Sequence, residues 1–201
     1  MSDKANSSMP QLPSVVYEMG RPVIVEAGNH IIQANATVPF FYLIQKGSAK
    51  LVHEAPSANP VIIDIYHAGD FFGEFEIQGI KMENRSVIAL NQCELLQYTR
   101  EQFFTLWDTC GEFSRWMLYK HSLRLLKAGD DKVYLDCAML RQRVFRIIQN
   151  NINSKNYFVY TKQILAELAG ISMRSLNRTL SELQNDRLII VDSGTIRLFT
   201  D

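Results

Sequence analysis

The sequence predicts an α+β chain in three parts: a first half of short strands, a long helix, and a small helical second half closed by a hairpin. Three observations carry that prediction. Between residues 15 and 98, short runs rich in β-formers are cut at near-regular spacing by glycine turns. Residues 112–135 hold no proline and repeat bulky residues at helical spacing. Near the C-terminus, two apolar-periodic stretches meet at Gly170, and two β-like runs flank Asp192-Ser193-Gly194-Thr195. A length of 201 residues fits one large or two small domains.

Taken in order, residues 1–14 read as a polar tail with prolines and no apolar h-region, so no signal peptide is expected. No run approaches the ~20 apolar residues of a membrane span, so the expected compartment is the cytoplasm, with no membrane partner. Residues 15–110 form the first domain. Its candidate strands are 22–25, 30–33, 40–45, 49–53, 61–66, 85–89 and 94–98, with turns at 27–29, 46–48, 55–60 and 68–70. That pattern argues for a sandwich or barrel-like β domain, followed by a helix at 100–109. The most informative stretch is Gly69-Asp70-Phe71-Phe72-Gly73-Glu74-Phe75-Glu76, with Arg85-Ser86 beyond a loop. Glycine-bounded backbone N–H groups, an arginine and a hydroxyl can cradle a phosphate, and a carboxylate such as Glu74 can accept from sugar hydroxyls. A paired Glu74 and Arg85 closing an empty pocket is the other reading.

Residues 111–136 form the long helix. Trp116, Tyr119, Leu123, Leu126 and Val133 follow one another at gaps of three, four, three and seven, the a and d positions of a heptad. The missing position is Asp130, preceded by Gly129. A mid-helix glycine costs about 1 kcal/mol against alanine, and an acid in an apolar seam needs a partner or water. The stripe is therefore either a dimer seam with a soft polar spot or a helix packed on its own domain that ends at Gly129–Asp130.

Residues 137–201 form the last domain. Asp136 can cap a helix at 137–150 whose Leu140, Val144, Ile147 and Ile148 share a face, with Arg141, Arg143 and Arg146 mostly off it. Residues 157–160 read as a strand. Thr161 caps a helix at 162–169, with Ile164, Leu165 and Leu168 inward. Gly170 ends it, and Ser172 caps a second helix at 173–184 with Leu176, Leu180 and Leu183 inward. This is the helix-turn-helix arrangement, and the closing hairpin is its wing. Off the inward face of the second helix stand Met173, Arg174, Asn177, Arg178 and Ser181. Arg178 can fork onto guanine. Lys162, Ser172, Ser175 and Thr179 are candidates for phosphate contacts.

Charge fits that division. Residues 1–110 carry 7 basic and 12 acidic side chains and residues 111–201 carry 14 and 9, so the halves differ as −5 and +5. The basic half is the one expected to meet a polyanion. Cys93, Cys110 and Cys137 are widely spaced and the four histidines are scattered, so no metal site is expected. No nucleophile–base pair suggests an enzyme.

The run Gly69–Glu76 with Arg85-Ser86, behind the stretch Glu26 to Ser48, resembles the cyclic-nucleotide-binding β-roll. Together with the long helix and the helix-turn-helix, it makes residues 15–199 similar to the Crp/Fnr superfamily of bacterial transcription regulators. The resemblance implies an N-terminal β-roll (jelly-roll-like) sensor domain, a dimerisation helix and a C-terminal winged helix-turn-helix. It implies that Gly73 and the Phe75 backbone approach a cyclic phosphate, that Glu74 holds a ribose hydroxyl, and that Arg85 and Ser86 hold the phosphate. Its implied partners are double-stranded DNA, a second copy of the chain and RNA polymerase. Its implied cofactor is a cyclic nucleotide or another small effector.

Two departures speak against cyclic AMP. Gly129 and Asp130 stand where cyclic-AMP-responsive members carry a Thr-Ser pair that contacts the base, and a carboxylate offers acceptors only. Glu76 adds a second anion beside the phosphate position unless Arg85 neutralises it. Arg178 falls on the family's base-reading arginine, whereas Arg174 replaces a cytosine-reading glutamate. Two rival expectations remain: a cyclic-nucleotide module that does not bind DNA, and a redox regulator acting through its cysteines.

Overall fold

A computed structural model describes residues 11–35, 40–54 and 60–199, with the backbone alone at 133–137. The chain divides into two compact units. One takes the chain up to Leu51 with Ile65–Asp130, and the other takes Val52–Asp64 with the chain from Asp131 onward.

A short helix α1 (Ser14–Met19), which the sequence did not announce, precedes the strands β1 (Arg21–Val25), β2 (His30–Ile32), β3 (Phe40–Lys46), β4 (Ser48–His53) and β5 (Val61–His67). Inside the glycine-rich run lie two elements also absent from the sequence expectation, β6 (Phe71–Phe72) and the one-turn helix α2 (Glu74–Ile77). The strands β7 (Arg85–Ala89) and β8 (Cys93–Thr99) and the helix α3 (Arg100–Thr109) follow. The strands form two four-stranded sheets, ordered β1-β8-β3-β6 and β2-β7-β4-β5. In the first, β8 is antiparallel to both neighbours, with Leu95 opposite Val23 and Leu96 opposite Leu43. The α+β class and a two-sheet first domain are as the sequence predicts.

Thr99 starts α3 by a reciprocal cap. Its Oγ1 accepts from the Gln102 backbone N–H at 3.2 Å, and the Gln102 side chain accepts from the Thr99 N–H at 2.9 Å. The core of this unit is aromatic. Phe41, Phe71, Tyr98, Phe103, Phe113 and Trp116 are buried together, with ring centroids 5.0 Å apart for Phe41–Phe103 and 5.2 Å apart for Phe71–Trp116.

The long helix α4 (Gly111–Cys137) runs without a break through Gly129–Asp130, both exposed. Of the five residues assigned to a seam, Trp116 is only 2% exposed inside its own unit's core, so it leaves the outer stripe. Tyr119 is half-buried, Leu123 and Leu126 are exposed, and the Val133 side chain lies outside the described residues. The exposed apolar set also contains Leu118 and Leu125, which the sequence reading passed over.

In the second unit, α4 continues through Cys137, so the expected helix start at Asp136 moves to α5 (Leu140–Asn150). That start is held by the Gln142 side chain, which accepts from the Met139 N–H at 2.9 Å. Residues 157–160 make isolated bridges, Ile152 with Phe158 and Tyr157 with Arg197, rather than a strand. The helices α6 (Lys162–Ala169) and α7 (Met173–Asn185) are capped by Thr161 and Ser172, each accepting from a backbone N–H in the first turn. Between them Gly170 sits at φ +64°, a left-handed position that glycine adopts at least cost. The hairpin β9 (Ile189–Asp192) and β10 (Thr195–Leu198) turns through Ser193 and Gly194, both at positive φ. Val144, Ile148, Leu165, Leu176, Leu180, Leu183, Ile189 and Ile196 close one core. Ile164 and Leu168, expected inward, are only partly buried, and Ala166 and Ala169 take the buried positions.

Candidate effector site and nucleic-acid interface

The glycine-rich run is built to put two carboxylates against α4. Gly73 lies at φ +90° and starts α2, and a Cβ there would collide with the Phe40 carbonyl oxygen. Its glycine is therefore demanded by the sheet, whatever ligand approaches. The turn drops Glu74 into the interior at 3% exposure.

The partner of Glu74 is Arg124 on α4 and not Arg85. Arg124 Nη1 donates to Glu74 Oε1 at 3.2 Å, and Nη2 donates to the Phe71 carbonyl at 2.6 Å. The same guanidinium lies over the rings of Phe71 and Tyr66, 4.2 and 4.9 Å from their centroids. One turn earlier, Lys120 Nζ donates to Asp70 Oδ1 at 2.6 Å. Two acids four residues apart in the loop thus meet two bases four residues apart on the helix.

Burial lifts the Glu74 carboxyl from its usual range to about 7, against the opposing charge of Arg124. Desolvation outweighs the ion pair, and both protonation states are populated near neutrality. Burial also raises Glu76, which Arg85 offsets by its charge. Ser86 is fully buried, and its hydroxyl accepts from the Ala34 N–H at 2.9 Å. Phe75 is partly exposed at the edge of α2, where its carbonyl accepts from the Ile80 N–H. Of the residues assigned to a cyclic phosphate, the Ser86 hydroxyl is thus engaged within the protein, and Arg85 Nη1 lies 3.8 Å from the Met82 sulfur.

On α7, Arg174, Asn177, Arg178 and Ser181 are exposed, as is Ser172, while Met173, Ser175 and Lys162 are half-buried. Arg178 reaches Glu182 at 3.8 Å in a pair that is 74% and 50% exposed, too wet to fix the side chain. Thr179, read as a phosphate contact, is 2% exposed on the inward face and cannot reach outward. Cys93 is buried and its thiol is raised by burial; Cys110 is buried as well. Neither has the exposed setting of a redox sensor. The Cys137 side chain lies outside the described residues. No group of metal-ligating side chains occurs among the described residues, and none of their helices is long and apolar enough to cross a membrane.

Residues 22–110 match the cyclic nucleotide-binding domain family, and residues 137–199 match the Firmicute plasmid replication protein (RepL) family. The chain is 26% identical over 188 residues to the cAMP-activated global transcriptional regulator Vfr of Pseudomonas aeruginosa, covering 86% of each protein. Among solved structures it superposes on the c-di-GMP responsive global regulator CLP of Xanthomonas campestris with a TM-score of 0.81 at 19% identity, covering 94% of this chain and 98% of that one. A transcriptional regulator of the CRP/FNR family from Thermus thermophilus gives 0.76 at 17% identity, with 90% and 94% covered. In fold the chain is like these regulators, and its residues 22–110 match the cyclic nucleotide-binding domain.

Sequence reasoning about this chain missed Arg124, Lys120, Tyr66 and Asp70. A signal was present, since Lys120 and Arg124 repeat the four-residue spacing of Asp70 and Glu74. What hid it was the heptad reading of α4, which sorted the helix by its apolar residues alone. Vfr and CLP are named as global regulators, and the Thermus thermophilus protein as a transcriptional regulator.

Proposed function

We propose that this chain is a homodimeric, sequence-specific DNA-binding regulator of transcription that works without cyclic AMP. One observation supports this above others: α7 buries Leu176, Leu180 and Leu183 and leaves Arg174, Asn177 and Arg178 exposed on the opposite side. Arginine forks onto guanine O6 and N7, and asparagine pairs with adenine N6 and N7. With an arginine at 174 in place of a cytosine-reading glutamate, the half-site differs from the best-known family site.

A twofold dimer would use the outer side of α4, where Leu118, Leu125 and Leu126 are 66%, 76% and 65% exposed. Leu118 and Leu125 stand one heptad apart, the spacing of a two-stranded seam. Such a dimer presents two α7 helices ~34 Å apart and reads an inverted repeat. RNA polymerase is the partner through which binding would change transcription.

Independence from cyclic AMP rests on the engaged ligand residues. Glu74 is held by Arg124, the Ser86 hydroxyl is used by Ala34, and Gly129 offers no hydroxyl. Vfr is named as cAMP-activated and CLP as c-di-GMP responsive, so effectors differ among relatives of this chain. A signal at the β-roll would reach DNA through α4, and Asp130→Leu should then alter the response.

The test is a mobility shift on inverted-repeat duplexes selected from a random pool, at rising salt and with and without millimolar cyclic AMP. The expected result is binding that weakens steeply with salt and changes less than about twofold with the nucleotide, a shift below ~0.4 kcal/mol. A monomer that ignores DNA at low salt overturns the reading; a tenfold gain with cyclic AMP overturns its effector part.

A further inference from the structure

The arginines of α5 belong to the positive balance of the second half, yet the fold spends them internally. Arg143 Nη2 donates to the Ala169 carbonyl at 3.2 Å. Ala169 is the last residue of α6. In the turn that follows, the Gly170 N–H returns to Ala166 and Glu167 and the Ile171 N–H returns to Ala166. Arg143 thus brings a cation to the one end of α6 that carries the negative end of the helix dipole. Its Nε is buried without a hydrogen-bond partner among the described residues, so the guanidinium is drawn into the unit rather than held toward solvent. Arg141 bonds Asp186, the C-cap residue of α7.

Residues two apart on a helix differ in direction by about 200°. Arg141 and Arg143 therefore flank the buried stripe of Val144 and Ile148 on opposite sides, one reaching the end of α7 and the other the end of α6. A single helix grips the C-terminal ends of both members of the helix-turn-helix.

We infer that Arg143, with Arg141, is a positioning residue for DNA recognition: it fixes the tilt at which α7 meets the groove without touching DNA itself. The inference rests on the DNA-binding reading above and names the residues that orient its recognition helix. The charge carried by α5 is then a structural charge, distinct from the groove-facing charge of Arg174 and Arg178.

The experiment uses the full chain and the duplex selected by the unaltered protein. Arg143→Met keeps the apolar stem and removes the donors. It should lower affinity for the selected duplex about tenfold or more, leave affinity for random duplex within about twofold, and leave the slope of log K against log salt unchanged. Arg143→Lys should recover part of the loss. A slope shallower by about 0.9, with selected and random duplex losing affinity alike, would make Arg143 a phosphate contact and overturn the inference. Unchanged affinity for the selected duplex overturns it too. Should Arg143→Met fail to fold, the pair at the other end decides. Arg141→Asp should weaken selected binding, and adding Asp186→Arg should restore it; no restoration overturns the inference. Failure of the unaltered chain to bind any duplex condemns the DNA reading instead, a result visible before any variant is made.

Discussion

Two pairs of basic residues in this chain have the same spacing and opposite fates. Lys120 and Arg124 stand four apart on α4, and Arg174 and Arg178 stand four apart on α7. The first pair points into its own unit, where Asp70 and Glu74 receive it and Arg124 lies between two rings. The second pair is exposed beside a helix face whose leucines are buried. Spacing puts two side chains on one face; packing decides whether that face is inside. A buried cation with a buried acid is an architectural commitment, because removing either leaves the other stranded in low dielectric. An exposed cation costs the fold little and remains available to a polyanion.

The comparison can be broken by substitution. Arg124→Met removes the bond to the Phe71 carbonyl and the contacts with two rings along with the Glu74 pair, and should lower the unfolding free energy by about 1–3 kcal/mol, read from the urea midpoint. Adding Glu74→Gln should return part of that loss. Equal midpoints for the unaltered chain and Arg124→Met would mean that the α4 pair is as dispensable as an exposed one. Arg178→Ala should act in the reverse sense. It should cost about 1–3 kcal/mol in operator affinity and shift the urea midpoint by no more than a surface change does, about 0.5 kcal/mol.

Titration sharpens the same contrast with a smaller effect. Glu74 is raised in the fold to about 7 from an ordinary value near 4.5. Between those values the folded state holds more protons than the unfolded one, so stability falls as pH rises through that window and levels off above it. The steepest contribution of one proton is about 1.4 kcal/mol per pH unit. Comparing unfolding of the chain with that of Glu74→Gln at pH 5, 6 and 7 isolates this slope, which should vanish in the variant. The smallest effect is expected at Lys46–Glu94, a 3.1 Å pair that is 75% and 47% exposed; Lys46→Met should change stability by less than about 1 kcal/mol.

Much of the fold was legible because its signals are local. The capping residues Thr161 and Ser172 and the glycine at 170 bound α6 and α7 where the sequence puts them. The strand runs were found within a residue or two, since turn glycines cut them. The cassette's own secondary structure was not found, because β6 holds two residues and α2 four, too short to show a period. The partner of Glu74 was misassigned for a different reason. Arg85 is close in sequence, Arg124 is 50 residues away, and distance along the chain carries no information about which cation the packed helix brings near. The +5 balance of the second half misleads in the same way, since it counts Arg141 and Arg143 with Arg174 and Arg178.

By itself the sequence determined most of the longer strands and helices, their ends to within a few residues, and which of their residues share a face. Those are matters of backbone preference, capping and periodicity within a few residues. Only the tertiary structure decided which face turns inward. It took Trp116 from the outer stripe into an aromatic core, set Arg124 against Glu74, and gave the ends of α6 and α7 to the arginines of α5. Those choices turn on desolvation, which depends on everything packed around a group and not on its neighbours in the chain.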